Sequence, residues 1–158
     1  MYRKVEDFLE DWAHSAKGTI QVLESLTDDK LDQAIVEGHS TLGWLGWHIT
    51  TSTAFFAGLV GLDVTVPSEE SVPKKAAVIP ETYKEISEKL VQEIKEKLTD
   101  EKMVEEVDQF GRLTPRGAIL RDVILHQTHH RGQMTVLLRQ AGLHVPGVMG
   151  PTKEQGGY

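Results

Sequence analysis

The 158 residues carry 24 Asp and Glu against 17 Lys and Arg, a net charge of −7 with no clustered basic stripe, which excludes phosphate-backbone binding to nucleic acid as the main activity. Cysteine is absent, so disulfides, thiolate metal ligands and a Cys nucleophile are excluded, and the cytosol is the simplest compartment. The charged start MYRKVEDFLEDWAHSAK, with no apolar run near the ~18 residues of a membrane span, predicts a soluble cytoplasmic protein whose length suits a single domain over residues 1–158.

From Tyr2 to Leu26, Val5, Phe8, Leu9, Trp12, Ala16, Ile20 and Leu23 recur at the spacing of one helical face, which predicts a first helix. Residues 27–40 read as mostly loop, with Thr27 capping a short turn and Gly38 breaking the chain. Ser40 or Thr41 then starts a second helix, LGWLGWHITTSTAFFAGLVG, ending at Gly61. It is apolar almost all round and should be the most buried helix.

Residues 62–80, with Pro67, Pro73, Pro80 and a Ser-Glu-Glu-Ser patch, carry no helical period. A connection this long reads as a crossover between parallel helices, as a lid, or as both. A third helix runs from Glu81 to Leu98 with Tyr83, Ile86, Leu90, Ile94 and Leu98 inward. Residues 99–113 read as a short extended excursion holding Val104, Val107 and Phe110. Thr114 as N-cap and Pro115 as first helical residue then start a fourth helix, which runs to Ala141 and is ended by Gly142 and Pro146. The tail from Pro146 reads as coil. Four helices without an internal repeat predict an all-α four-helix bundle with a long crossover between helices two and three.

Chemistry concentrates in HQTHHRGQ, residues 126–133, inside the fourth helix. His126 and His130 are four apart, so their side chains stack on one helical face with Cβ atoms roughly 5–6 Å apart, close enough to share a metal. Ile119, Val123, Gln133 and Leu137 fall within about 60° of His126 at about 100° per residue, which places the pair on the inward stripe. Roughly 0.3 such pairs arise by chance in a chain of this composition, so the spacing alone is weak. His48 strengthens it. Thr41, Trp44, Leu45, Ser52, Phe55 and Leu59 share its face of the second helix, so it too is expected to point to the core. Inward side chains on facing helices build bundle metal sites, and three neutral imidazoles leave positions open to water or substrate.

A histidine within GWHIT in helix two, a long crossover, and HxxxHRGQ followed by RQAGLHVPGV in helix four together resemble the DinB-like (DinB/YfiT) metalloprotein family. The resemblance covers nearly the whole chain. It implies an up-down-down-up bundle, a divalent metal on His48, His126 and His130, and often a homodimer. It also implies chemistry on a small molecule, since relatives include transferases and isomerases that use low-molecular-weight thiols such as bacillithiol. The family's name does not imply DNA binding.

The remaining residues of the motif have plainer readings beside functional ones. His129 is an alternative ligand or an outer group. Gln133 either holds a ligand's second nitrogen or is an ordinary amide, and Asp122 is an outer acceptor or base, or a surface charge. Arg131 is expected to pair with an acid on a neighbouring helix and Gly132 to admit a neighbouring backbone. Trp44 and Phe55 read as core first and pocket lining second. His14, His39 and His144 stay unassigned, and no catalytic residue is singled out.

The function this supports is metal-dependent chemistry on a small molecule, with thiol S-transfer as its specific form. Zn or Ni comes first among metals, with Fe, Mn or Cu behind. HQTHH lacks the Glu of HExxH metalloproteases, which argues against peptide hydrolysis. The competing reading is a non-catalytic metal or small-ligand binding protein of a stress response.

Overall fold

The computed structural model describes residues 1–66 and 71–157, so Pro67 and the Ser68–Glu70 part of the acidic patch lie outside the described residues. Its helices are α1 (Val5–Leu23), α2 (Leu42–Leu59), α3 (Val78–Lys97), α4 (Asp100–Val104) and α5 (Arg116–Gln140), with strands β1 (Glu106–Gln109) and β2 (Arg112–Pro115) between the last two.

Contacts at the helix ends give the directions. Tyr2 N–H bonds Gly117 O at the start of α1 and α5, and Arg131 reaches Ser15 further along both, so these helices run parallel. Arg116 at the start of α5 donates to Val60 O just beyond the end of α2, so that pair is antiparallel. Trp12 donates to Ser87, and Lys84 pairs with Glu24 while the Val5 amide meets Asp100, so α3 opposes α1. Gly46 packs near Ile79, and the Asp63 amide bonds Glu93, so α3 runs with α2. The order is up-down-down-up. An α2 of eighteen residues is about 27 Å long. Residues 60–77 must travel that distance back, which accounts for the long crossover.

Glu93 anchors the return. Its carboxylate is buried, takes the Asp63 amide and pairs with Lys89 and Lys97. The Lys97 bond, then the Asp63 amide, pull its pKa down to about 2. The core between the helices is filled by Phe8, Trp12, Ile49, Tyr83, Ile94 and Leu120. Eleven of the eighteen residues of α2 are buried, consistent with its apolar sequence. Gly117 is required where it stands, because a Cβ there would run into the Tyr2 carbonyl.

Several element ends differ from the sequence reading. Helix one is shorter, Val5–Leu23, and α3 begins at Val78, so Pro80 lies inside its first turn, where no intrahelical N–H is needed. Thr27 precedes the turn Asp28–Lys30 but its side chain makes no cap bond. The 99–113 excursion is extended only from Glu106, behind the short α4 capped by Thr99. Thr114 is not an N-cap. It pairs with Val107 in the hairpin, Pro115 takes the cap position, and α5 starts at Arg116. Ladder pairing continues to the helix start and overrides the local Thr-Pro signal. Thr41 caps α2 as expected, accepting from the Trp44 amide, and the tail is coil except for the turn Lys153–Gln155.

Candidate metal centre

His48 of α2 and His126 and His130 of α5 meet at the seam between the two antiparallel helices. Nε2 of His126 lies 3.1 Å from Nε2 of His48 and 3.1 Å from Nε2 of His130. Among the described residues these three form the convergent group of metal-ligating side chains, and neither His129 nor any carboxylate joins it.

The outer nitrogens set the inner ones. Gln133 Oε1 is 2.7 Å from Nδ1 of His130, and an amide oxygen only accepts, so the proton sits on Nδ1 and the Nε2 lone pair is free. Nδ1 of His126 has Ser52 Oγ at 3.4 Å. Trp44 stacks flat on His48 at 4.7 Å and 9°, and Phe56 lies 5.4 Å from His126. Burial, then the positive charge that His130, His48 and His129 would carry, pull the His126 pKa down to about 4. Burial, then His130, lower His48 as well.

At neutral pH His126 and His48 are therefore neutral, with nitrogens close together that cannot all satisfy one another as donors. A cation resolves the arrangement. Three Nε2 atoms on one tetrahedral cation at about 2.0–2.1 Å stand about 3.3–3.4 Å apart, close to the spacing found.

The rings sit beside the core stripe and not on it. The buried line of α5 is Leu120, Val123, Gln127, Arg131, Met134 and Leu138, while His126 and His130 are half-buried at its edge and His48 is half-buried opposite them. On an α2 that is apolar all round, periodicity does not point to the side that meets α5. Trp44 and Phe55 are not core either, being 43% and 52% exposed, and Phe55 stacks on Phe110 of the hairpin turn.

Gln133 is exposed, and its Oε1 meets the second nitrogen of His130. His129 is exposed and packs edge-on to His130. Asp122 pairs with Arg121 and makes no bond to the rings. Among the described residues Arg131 meets no acid. Its Nη1 donates to Ser15 O, Ser15 Oγ and Thr19 Oγ1, and its Nη2 donates to Thr128 Oγ1. Gly132 faces open space and admits no neighbouring backbone.

Sequence reasoning missed Gln127, which is fully buried. Its Oε1 accepts from Thr19 Oγ1 (2.9 Å) and Tyr83 OH (2.8 Å), and its Nε2 donates to Thr53 Oγ1 (3.0 Å). The signal was a polar pair, Gln127 and Arg131, at the four-residue spacing of an otherwise apolar stripe.

The DinB family's sequence model matches residues 1–157. The uncharacterized protein YrdA of Bacillus subtilis (strain 168) is 40% identical over 156 residues, 98% of this chain and 93% of that protein. YjoA of the same organism, also uncharacterized, is 29% identical over 130 residues, 78% of this chain and 82% of its own. The crystal structure of a DinB-like protein from Bacillus cereus ATCC 10987 superposes with a TM-score of 0.89 at 40% identity, over 93% of this chain and 99% of that one. The YjoA structure superposes at 0.72 and 23% identity, over 91% and 99%, a likeness of fold.

Proposed function

The chain belongs to the DinB family, and from that premise we propose that it binds a divalent metal through His48, His126 and His130 and acts with it on a small molecule. The observation that carries this reading is the pair of 3.1 Å separations between Nε2 atoms drawn from two helices. Imidazole ligands suit Zn or Ni first, then Fe or Mn. A divalent cation held there would lower the pKa of a water or thiol bound beside the three ligands.

The chain's own side chains do the rest. Gln133 holds His130 in the tautomer whose Nε2 is free. Trp44 and Phe56 lie against His48 and His126 and keep water from those ring faces. With no cysteine in the chain, a sulfur nucleophile has to come from a diffusible thiol. In the reaction proposed, the thiol sulfur bonds to an electrophilic carbon, the leaving group departs with its bonding pair, and the thiol proton passes to solvent.

One observation favours the second reading, metal binding without catalysis. Asp122, the carboxylate best placed in sequence to act as base, is turned to Arg121.

Elemental analysis and metal titration of the purified protein, followed by conjugation of several low-molecular-weight thiols to monochlorobimane, test both. One metal per chain and a metal-dependent rate, both lost in His126→Ala, are expected. Tight metal binding without a rate leaves the binding reading, and no metal binding by the unaltered chain overturns both.

A further inference from the structure

On the far side of α5 from the three imidazoles the chain carries a second polar cleft. Counted from His126 at about 100° per residue, Thr128, Arg131 and Arg139 point about 140–220° round the helix, towards α1 and the C-terminal segment. With Lys153 they line a cavity of about 550 Å³ whose wall also includes Val148 and Met149.

The charge there is inverted. The chain as a whole is at −7, yet the cavity lining holds three cations and no acid. Glu154 answers one of them from outside the lining, bonding Arg139 at Nε (2.7 Å) and Nη2 (3.2 Å). Lys153 makes no ion pair among the described residues.

Arg131 is the stronger case. It is only 5% exposed, and every acceptor it meets among the described residues is a neutral hydroxyl or carbonyl. All of those bonds leave from Nη1 and Nη2, and none from Nε. A guanidinium does not shed its proton to escape burial, so the charge stays. A buried charge without a counter-charge is costly, and an anion entering the cavity offsets that cost. The Nε–H and the second Nη2–H of Arg131, which none of those bonds uses, and the ammonium of Lys153 are the donors an oxyanion needs. The cavity is several times larger than an oxyanion, and Val148 and Met149 offer its remainder an apolar wall.

We infer that this cleft binds a small organic anion, a carboxylate or phosphate monoester carried on a partly apolar body. The site shares no residue with the three-histidine centre and stands or falls separately from it.

Amide NMR of the full chain during titration with phenyl phosphate, benzoate and uncharged benzyl alcohol tests this. Saturable shifts at Thr128, Thr152 and Lys153 are expected with at least one anion, and which anion binds tighter identifies the oxyanion. Lys153→Glu, at an exposed position, is expected to weaken that binding at least tenfold while leaving metal affinity unchanged. Arg131→Lys keeps the charge but loses the fork, and is expected to weaken it less. The inference is overturned if neither anion shifts these amides at millimolar concentration, if benzyl alcohol binds as well as the anions, or if Lys153→Glu binds as tightly as the parent.

Discussion

Two polar clusters share α5 and interleave along it. Gln127 and Arg131 point into the core, where they meet α1, α3 and Thr53 of α2, while His126 and His130, each one residue earlier, sit at the edge against His48 of α2. In the inner cluster the hydrogen bonds are matched, although the charge of Arg131 has no counter-charge among the described residues. Gln127 joins Thr19, Tyr83 and Thr53, and Arg131 closes on Ser15 and Thr19. Burial pushes the Tyr83 phenol up to about 12, so it stays protonated and donating. In the outer cluster three nitrogens face one another without enough protons to pair them. A matched buried network holds helices in register, and an unmatched one at a half-open seam is prepared for something that is not part of the chain.

That contrast breaks most sharply at the rings. His126→Ala is expected to weaken metal binding by more than the roughly 10–100-fold that loss of an outer partner costs, while His14→Ala leaves it intact. Isothermal titration of both variants decides it, and equal loss in the two would remove His126 from the ligand set.

The reverse outcome is expected one residue on. Gln127→Ala removes the acceptor of Tyr83, leaves Thr19 and Thr53 only their bonds outside Gln127, and opens a cavity, so urea denaturation should show a loss of about 2–4 kcal/mol. Metal affinity of the folded variant should stay near that of the parent. A stability change under about 0.5 kcal/mol would mean the inner network holds nothing.

Gln133→Ala sharpens the outer cluster. The residue is exposed, so metal-free stability should hardly change, but His130 loses the partner that fixes its tautomer. Metal affinity is expected to fall about 10–100-fold.

A further effect is on pH. The folded-state pKa of His126 lies near 4, below its ordinary 6.5, so the unfolded chain takes up its proton first as pH falls. Its contribution to metal-free stability is complete above about 6.5 and is lost progressively down to about 4. Chemical denaturation across that window should show the slope in the parent and less of it in His126→Gln. An unchanged slope would place the titrating group elsewhere.

The sequence by itself determined the four long helices, the crossover, the Thr41 cap, and the identity and mutual phase of His126 and His130. Each of these follows from local spacing, in which i and i+4 side chains share a face wherever the helix lies. Position relative to the core was decided only by tertiary structure. His48 and the α5 pair sit at a seam edge because α2 is apolar on every side, so its own pattern does not say which side meets α5. Strand pairing to Val107 took Thr114 away from the helix start, although its dipeptide signals a cap. Arg131 found hydroxyls instead of an acid because the α1 residues opposite it are Ser15 and Thr19. The pairings between helices join positions 78 to 116 residues apart, and helical periodicity carries no information about which faces will oppose each other once the bundle closes.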